Sequence, residues 1–314
     1  MKLFYCDHYQ MPLGEGHRFP VTKYRLLRDK LAQHGGFVFE PAVLASLDEI
    51  KAVHDPAYID AFCAGTLPEA AIRRIGFPWS QGLVTRTLAS AGGTLAATRE
   101  ALTTGLGCTL AGGTHHAFAA EGSGFCVFND IAMAIRRLLR GARVAVIDLD
   151  VHQGDGTAHI FAGSPEVFTV SLHGRNNFPF RKQQSSLDVP LEDGCGDTEY
   201  LTALEPVLPQ VIQFKPDFLF YQAGVDGLLE DKLGKLNLTM DGLARRDQKI
   251  FAVAERLGVP MVVTMGGGYG DPIGATVAAH AQTYLAAKDW YARIAAASSE
   301  TRKLIEANQS PFLV

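Results

Sequence analysis

Apolar residues recur along this chain in two different periods. Short apolar runs without helical spacing occupy residues 2–6, 36–39, 108–111, 143–149, 167–172, 217–222 and 260–265. Those at 144–147, 218–221 and 261–263 are apolar throughout, as strands covered on both faces should be. Between them the period changes. Segment 83–104 is Ala-rich with apolar residues at helical spacing, and 129–140 opens on Asn129, a good N-cap, and stops at Gly141. Segments 198–214 and 240–257 continue the alternation. Strands alternating with helices predict an α/β fold, a parallel sheet with helices on both faces. No repeat, low-complexity stretch or long linker interrupts the pattern, so residues 1–314 are expected to form a single domain.

One strand ends in an unusual way. The run Val144-Ala145-Val146-Ile147 leads into Asp148-Leu149-Asp150-Val151-His152-Gln153-Gly154-Asp155-Gly156. If the extended geometry persists, Asp148, Asp150 and His152 point to one face. Ionisable groups crowded beside a hydrophobic strand are costly unless a cation or hydrogen bonds compensate them. A loop of solvated acids is the plain alternative for this segment alone. The neighbouring segments weigh against it. Run 108–111 leads into Gly112-Gly113-Thr114-His115-His116, run 217–222 into Ala223-Gly224-Val225-Asp226, and run 260–265 into Gly266-Gly267-Gly268-Tyr269-Gly270. Ligands of open parallel sheets bind beyond the carboxyl ends of strands, so all four clusters should crowd one edge.

Asp150, His152 and Asp226 would supply three protein ligands and leave positions open for water or substrate, the arrangement of a catalytic metal centre. The oxygen-rich set suits zinc, with iron(II) as a competitor. Such an ion acidifies water and polarises a carbonyl. His115 or His116 would carry the proton, with Asp148 and Asp155 placed to accept from their rings. Two adjacent histidines on a surface turn are the plain reading of that pair. Gly266, Gly267 and Gly268 match neither phosphate-loop spacing. They are better explained by close backbone approach that places Tyr269 beside the metal, its hydroxyl able to hydrogen-bond a developing oxyanion, with Gly267 and Gly268 as candidate substrate-binding residues.

Charge and cysteines narrow the setting. A formal net charge of -4 gives no global reason to expect nucleic acid or a membrane as partner. The five cysteines form no CxxC pair, which argues for a reducing compartment and against a thiolate metal site. The short apolar start before Asp7 and His8 is not a signal peptide, and no run approaches membrane-spanning length, so a cytoplasmic location is expected.

These residues together resemble the metal-dependent histone deacetylase superfamily. The resemblance rests on His115-His116, Gly124-Phe125-Cys126-Val127-Phe128-Asn129-Asp130, the Asp148–Gly156 motif, Ser171-Leu172-His173, Asp226, and Gly266-Gly267-Gly268-Tyr269, all in the family's order. Val53-His54-Asp55-Pro56-Ala57-Tyr58 is similar to a helical segment near the family's N-terminus. His17-Arg18-Phe19-Pro20 and the stretch from Asn177 to Lys182 look most like the compact bacterial and class IV-like branch.

The resemblance implies a three-layer arginase/deacetylase fold, with an eight-stranded, mostly parallel sheet between helices. It implies hydrolysis of an N-acetyl or acyl amide, acyl-lysine or a small acetylated amine, at the bottom of a tunnel. His116 would take the proton from water and His115 stabilise charge. Tyr269 would serve the transition state, Phe125 and Phe178 would grip the aliphatic stem, and Gly124 would allow close approach. A structural potassium ion is implied at the carbonyls of Asp148, Asp150, His152 and Leu172 with the side chains of Asp148 and Ser171. A second is implied at Phe161, Ser164 and Val167, with Tyr200 nearby.

Two departures stand out. Many members carry an aspartate on the rim loop that grips a peptide backbone, whereas Arg73-Arg74-Ile75-Gly76-Phe77-Pro78-Trp79 has no acid. Arg73 and Arg74 suggest a carboxylate on the substrate, or simply the end of a surface helix. Nothing outside the matching span reads as a chromatin-binding domain. Three alternatives share features with this reading: an acetylpolyamine amidohydrolase, an arginase-like ureohydrolase with further manganese ligands, and a catalytically silent acyl-group binder.

Overall fold

The computed structural model describes residues 1–308, with side chains through residue 296. Its strands are β1 (Lys2–Tyr5), β2 (Val38–Pro41), β3 (Leu106–Cys108), β4 (Val144–Asp148), β5 (Val167–Gly174), β6 (Leu187–Leu191), β7 (Phe218–Gln222) and β8 (Met261–Thr264). All their pairings are parallel.

The main sheet holds six strands in the order β3-β8-β7-β4-β5-β6, which corrects the expected eight. β1 and β2 form a two-stranded sheet of their own, joined to the β3 edge only by the isolated bridge between Phe4 and Thr109. The ladder is short there because β3 spans three residues. A side chain at Gly107 would also collide with the Ala97 carbonyl, so a helix backbone lies directly on this strand. β6 had no counterpart in the apolar pattern. It is an edge strand carrying Pro190 and a mostly half-buried surface, and proline is confined to sheet edges because it cannot complete an inner ladder.

Strand side chains alternate between two cores. Ala145, Ile147, Leu219, Tyr221, Met261 and Val263 pack on one face with Leu243, Ile250, Phe251 and Tyr284 of the helices Met240–Leu257 and Gly274–Asn308. Val144, Val146, Phe218, Phe220 and Val262 pack on the other with Leu95 of Gln81–Thr104 and Ile131 of Asp130–Leu138. Burial on both faces explains why these strands read as continuous apolar runs rather than alternating ones.

Helix ends follow local chemistry. Asn129 accepts from the Ala132 N–H, Thr239 accepts from the Gly242 N–H, and Gly258 closes the latter helix with φ of 65°. The expected helix 198–214 is instead two, Asp197–Leu204 and Val207–Phe214. Pro206 separates them because it has no N–H to continue the first helix. No helix among the described residues is long and apolar enough to cross a membrane.

β4 leads forward in the chain to β5 on one side, whereas its neighbour on the other side is β7. This divergence is a topological switch point, and it opens a crevice beyond the carboxyl ends of β4 and β7.

Candidate active site

β4 stops at Asp148 and β7 at Gln222, so Asp150, His152 and Asp226 lie on the loops just beyond. One ligand atom from each of the three lies within 4.8 Å of the others, and all three residues are buried. Nδ1 of His152 is 3.1 Å from Oδ1 of Asp150 and 3.0 Å from Oδ2 of Asp226. The carboxylates are held from behind: Asp150 accepts the Gly267 N–H at 2.7 Å and Asp226 accepts the Val151 N–H at 2.9 Å. A Cβ on Gly267 would sit 1.9 Å from Oδ2 of Asp226, so only glycine permits this packing.

The electrostatics call for a cation. Burial, reinforced by the Asp150 charge, raises the Asp226 carboxyl to about 7. Burial opposes a charge on His152, yet its hydrogen bonds to Asp150 and Asp226 overcome that and raise it to about 10. Positive charge is therefore favoured between two buried carboxylates. A divalent ion fits this donor set, two carboxylate oxygens and one imidazole nitrogen, better than a single proton does.

The paired histidines stand beside the triad, with ring centroids 4.1 Å apart. Nδ1 of His115 donates to Oδ2 of Asp148 at 2.7 Å, and Nδ1 of His116 donates to Oδ1 of Asp155 at 2.6 Å. Each ring thus has Nε2 left for other chemistry. Their environments differ. Burial opposes charge on His115, but Asp148 and Asp150 outweigh it and lift the ring to about 9. Burial and the neighbouring His115 hold His116 near 4, against the pull of Asp155. One ring favours its cationic form and the other its neutral form.

Extended geometry does not persist through Asp150. Asp148 instead divides its carboxylate, with Oδ2 on His115 and Oδ1 accepting the Asp150 N–H at 3.2 Å.

Tyr269 lies across the triad, its ring centroid 6.3 Å from that of His152 and 6.0 Å from that of Phe125. Phe178 stands edge-on to His116 at 4.9 Å. Phe125, Phe178, Tyr269, His116 and His152 all line a cavity of about 520 Å³ that opens outward. A smaller cavity of about 90 Å³ continues inward past His115, Asp150 and Gly267. Gly124 has φ of 51°, and a Cβ there would lie 2.6 Å from Cδ2 of His116 and 2.9 Å from Cε1 of Phe178.

Comparison with known proteins places this architecture. Residues 16–285 match the histone deacetylase domain model. The chain belongs to the histone deacetylase family. Histone deacetylase 2 of Arabidopsis thaliana is 31% identical over 293 residues, covering 86% of this chain and 74% of that protein. An uncharacterised protein of Picosynechococcus sp. is 45% identical over 294 residues, covering 91% and 98%. The crystal structure of a histone deacetylase homologue from Aquifex aeolicus superposes with a TM-score of 0.77 at 27% identity, covering 91% of this chain and 84% of that one. Membership makes the protein a hydrolase acting on acetylated amides and implies a divalent metal.

In this deacetylase-family chain, the expected ligands, histidine pair, Asp148, Asp155, Tyr269, Gly124, Phe125 and Phe178 converge on one crevice. Gly267 lines the inner cavity. Gly268 instead packs against Thr276 and His280 and turns its carbonyl to Lys23. Of the residues named for monovalent cations, Ser171 shares a hydrogen bond with His173 at 3.0 Å, and the buried Tyr200 hydroxyl has no hydrogen-bond partner within 3.5 Å among the described residues. The carbonyls of Phe161 and Ser164 already accept the N–H groups of Ser164 and Val167.

Several supporting residues escaped the sequence reading. Asp130 accepts the Gly113 and Thr114 N–H groups, both at 2.8 Å, and fixes the loop before the histidines. Its place in a recognisable motif could have flagged it. Asp231 accepts the Tyr269 N–H at 2.6 Å, and buried Lys23 donates to the Gly268 carbonyl. Neither carries a local signal.

Proposed function

We propose that this chain hydrolyses acyl amides of lysine-type amines, with Asp150, His152 and Asp226 holding zinc or iron(II). Bound there, the ion would acidify water and polarise the acyl carbonyl. The chain's own residues supply the rest. His116, neutral and fixed by Asp155, takes the water's proton at Nε2 and later returns it to the departing amine. His115, held by Asp148, keeps positive charge near the reacting centre. Tyr269 donates its hydroxyl to the oxygen that gains charge. Phe125 and Phe178 hold an apolar stem and exclude water around it. The same reading assigns a monovalent cation to the Asp148 carbonyl region and a second to the loop from Phe161 to Val167.

The observation that carries this reading is the buried triad with two histidines beside it, each held at Nδ1 by its own carboxylate so that Nε2 is left for the substrate. A silent acyl binder would not need the full set of three ligands, two carboxylate-held histidines and Tyr269. An acetylpolyamine substrate is disfavoured by the outer cavity, which is lined by Arg18, Arg73, Arg74 and Lys235 and by no carboxylate. The test is turnover of acetyl-lysine peptides and acetylpolyamines by the zinc- and iron(II)-loaded chain. Hydrolysis of the peptides supports the proposal; tight binding without turnover by metal-replete protein overturns it.

A further inference from the structure

Cations collect at the outer cavity although the chain as a whole carries a formal net charge of -4. Their placement is fixed by hydrogen bonds to the tunnel wall. The Gly124 N–H donates to the Arg74 carbonyl at 3.1 Å and the Phe125 N–H to the Ile75 carbonyl at 2.7 Å. Arg73 and Arg74, in the last turn of Glu69–Ile75, therefore stand directly over the residues that would grip the stem. His17 bonds the Gly76 carbonyl through Nε2 at 3.0 Å, which brings Arg18 to the same side. Lys235 occupies a different wall, its carbonyl accepting the Gly194 N–H at 2.7 Å and the Leu233 carbonyl, two residues earlier, accepting from the Asn177 amide at 2.7 Å.

Some of this charge is already paired. Arg73 meets Glu69 at 2.6 Å, Arg74 meets Glu121 at 2.9 Å, and Lys235 meets Asp193 at 3.7 Å. None of those acids lines the cavity. Arg18 has no ion pair among the described residues. A helix C-terminus favours Arg73 and Arg74 on its own account, yet it explains neither Arg18 nor Lys235. Between the cations the lining is apolar, with Phe125, Phe178 and Leu233. An apolar passage rimmed by cations fits a molecule with an aliphatic stem and an anion at its outer end.

We propose that the outer cavity selects acylated amines bearing a carboxylate next to the stem, bound by Arg18, Arg73 and Lys235. This rests on the deacylase reading above and names its substrate class. The carboxylate could belong to a free acyl-amino acid or to an acidic residue flanking an acyl-lysine.

The test uses the metal-loaded full chain and compares kcat/KM at about 0.01 M and about 0.1 M ionic strength. One arm contains acetyl-lysine peptides flanked by Glu, Gln or Lys; the other compares free Nε-acetyl-lysine with its α-amide. The anionic form should exceed the neutral form in at least one arm by about fivefold, as one exposed ion pair allows. Higher salt should narrow the gap. The combined substitutions Arg18→Gln, Arg73→Gln and Lys235→Gln should bring the ratio close to one. Preference confined to the free acid identifies a small-molecule substrate, and preference confined to the Glu peptides identifies an acidic protein segment. Hydrolysis with no anionic preference in either arm, or with a preference the triple variant retains, overturns this inference and leaves the deacylase reading standing. Failure to hydrolyse any of these substrates overturns both.

Discussion

Lys23 donates from Nζ to the carbonyl oxygen of Gly268 at 3.0 Å, joining positions 245 residues apart. Gly268 precedes Tyr269, and the Lys23 ammonium also lies 5.0 Å from the Tyr269 ring centroid. With Asp231 on the Tyr269 N–H, this bond holds the tyrosine's backbone from two sides. Lys23→Met should therefore lower turnover while leaving metal stoichiometry intact, with partial recovery in Lys23→Arg. Equal turnover in all three proteins would show that the bond does not position Tyr269.

The same lysine makes stability depend on pH. Burial lowers its pKa from 10.5 to about 8, so the folded state releases its proton before the unfolded state does. Below pH 8 the buried charge costs about 3 kcal/mol, and that cost disappears as pH rises from 8 to 10.5. Denaturant titrations should show wild type gaining stability relative to Lys23→Met across that window. At pH 7 the two should differ little, because losing the charge penalty offsets a carbonyl left unbonded, worth ~1–3 kcal/mol.

Tyr269→Phe removes one hydroxyl and leaves the ring packed. Turnover should fall by about 10²–10³, as for loss of one oxyanion donor. Metal content and melting temperature should match wild type, and unchanged turnover would remove Tyr269 from the chemistry.

Zinc titrated into metal-free protein should raise its melting temperature, by the equivalent of about 2.7 kcal/mol at a hundredfold excess over Kd. Asp226→Ala and His152→Ala should abolish that rise and the metal content together. Full occupancy in either variant would refute the ligand assignment.

Gly124→Ala should act without touching the ligands. The added methyl group meets the His116 and Phe178 rings on a backbone with φ of 51°, a left-handed conformation costing about 1–2 kcal/mol for an L side chain. Lower stability and a higher KM are expected, measured by denaturation and by initial rates at normal metal loading.

The alternating elements and the gathering of the candidate residues at one sheet edge were legible in the chain. Buried parallel strands must be apolar, and their carboxyl ends must lie together, so Asp150, His152, Asp226, His115 and Tyr269 could be read as one site from local patterns. Three matters depended on folding. β6 was hidden because an edge strand needs no continuous apolar run. The separation of β1 and β2 from the main sheet follows from the shortness of β3, which leaves an isolated bridge between Phe4 and Thr109 in place of a ladder. The roles of Asp231 and Lys23 arise from contacts across 38 and 245 residues, for which no local period exists. Residue types and spacing thus determined which groups are available for chemistry. Only the tertiary structure decided which carboxylate each histidine meets and how burial sets its charge, because hydrogen bonding and desolvation depend on neighbours brought together by folding.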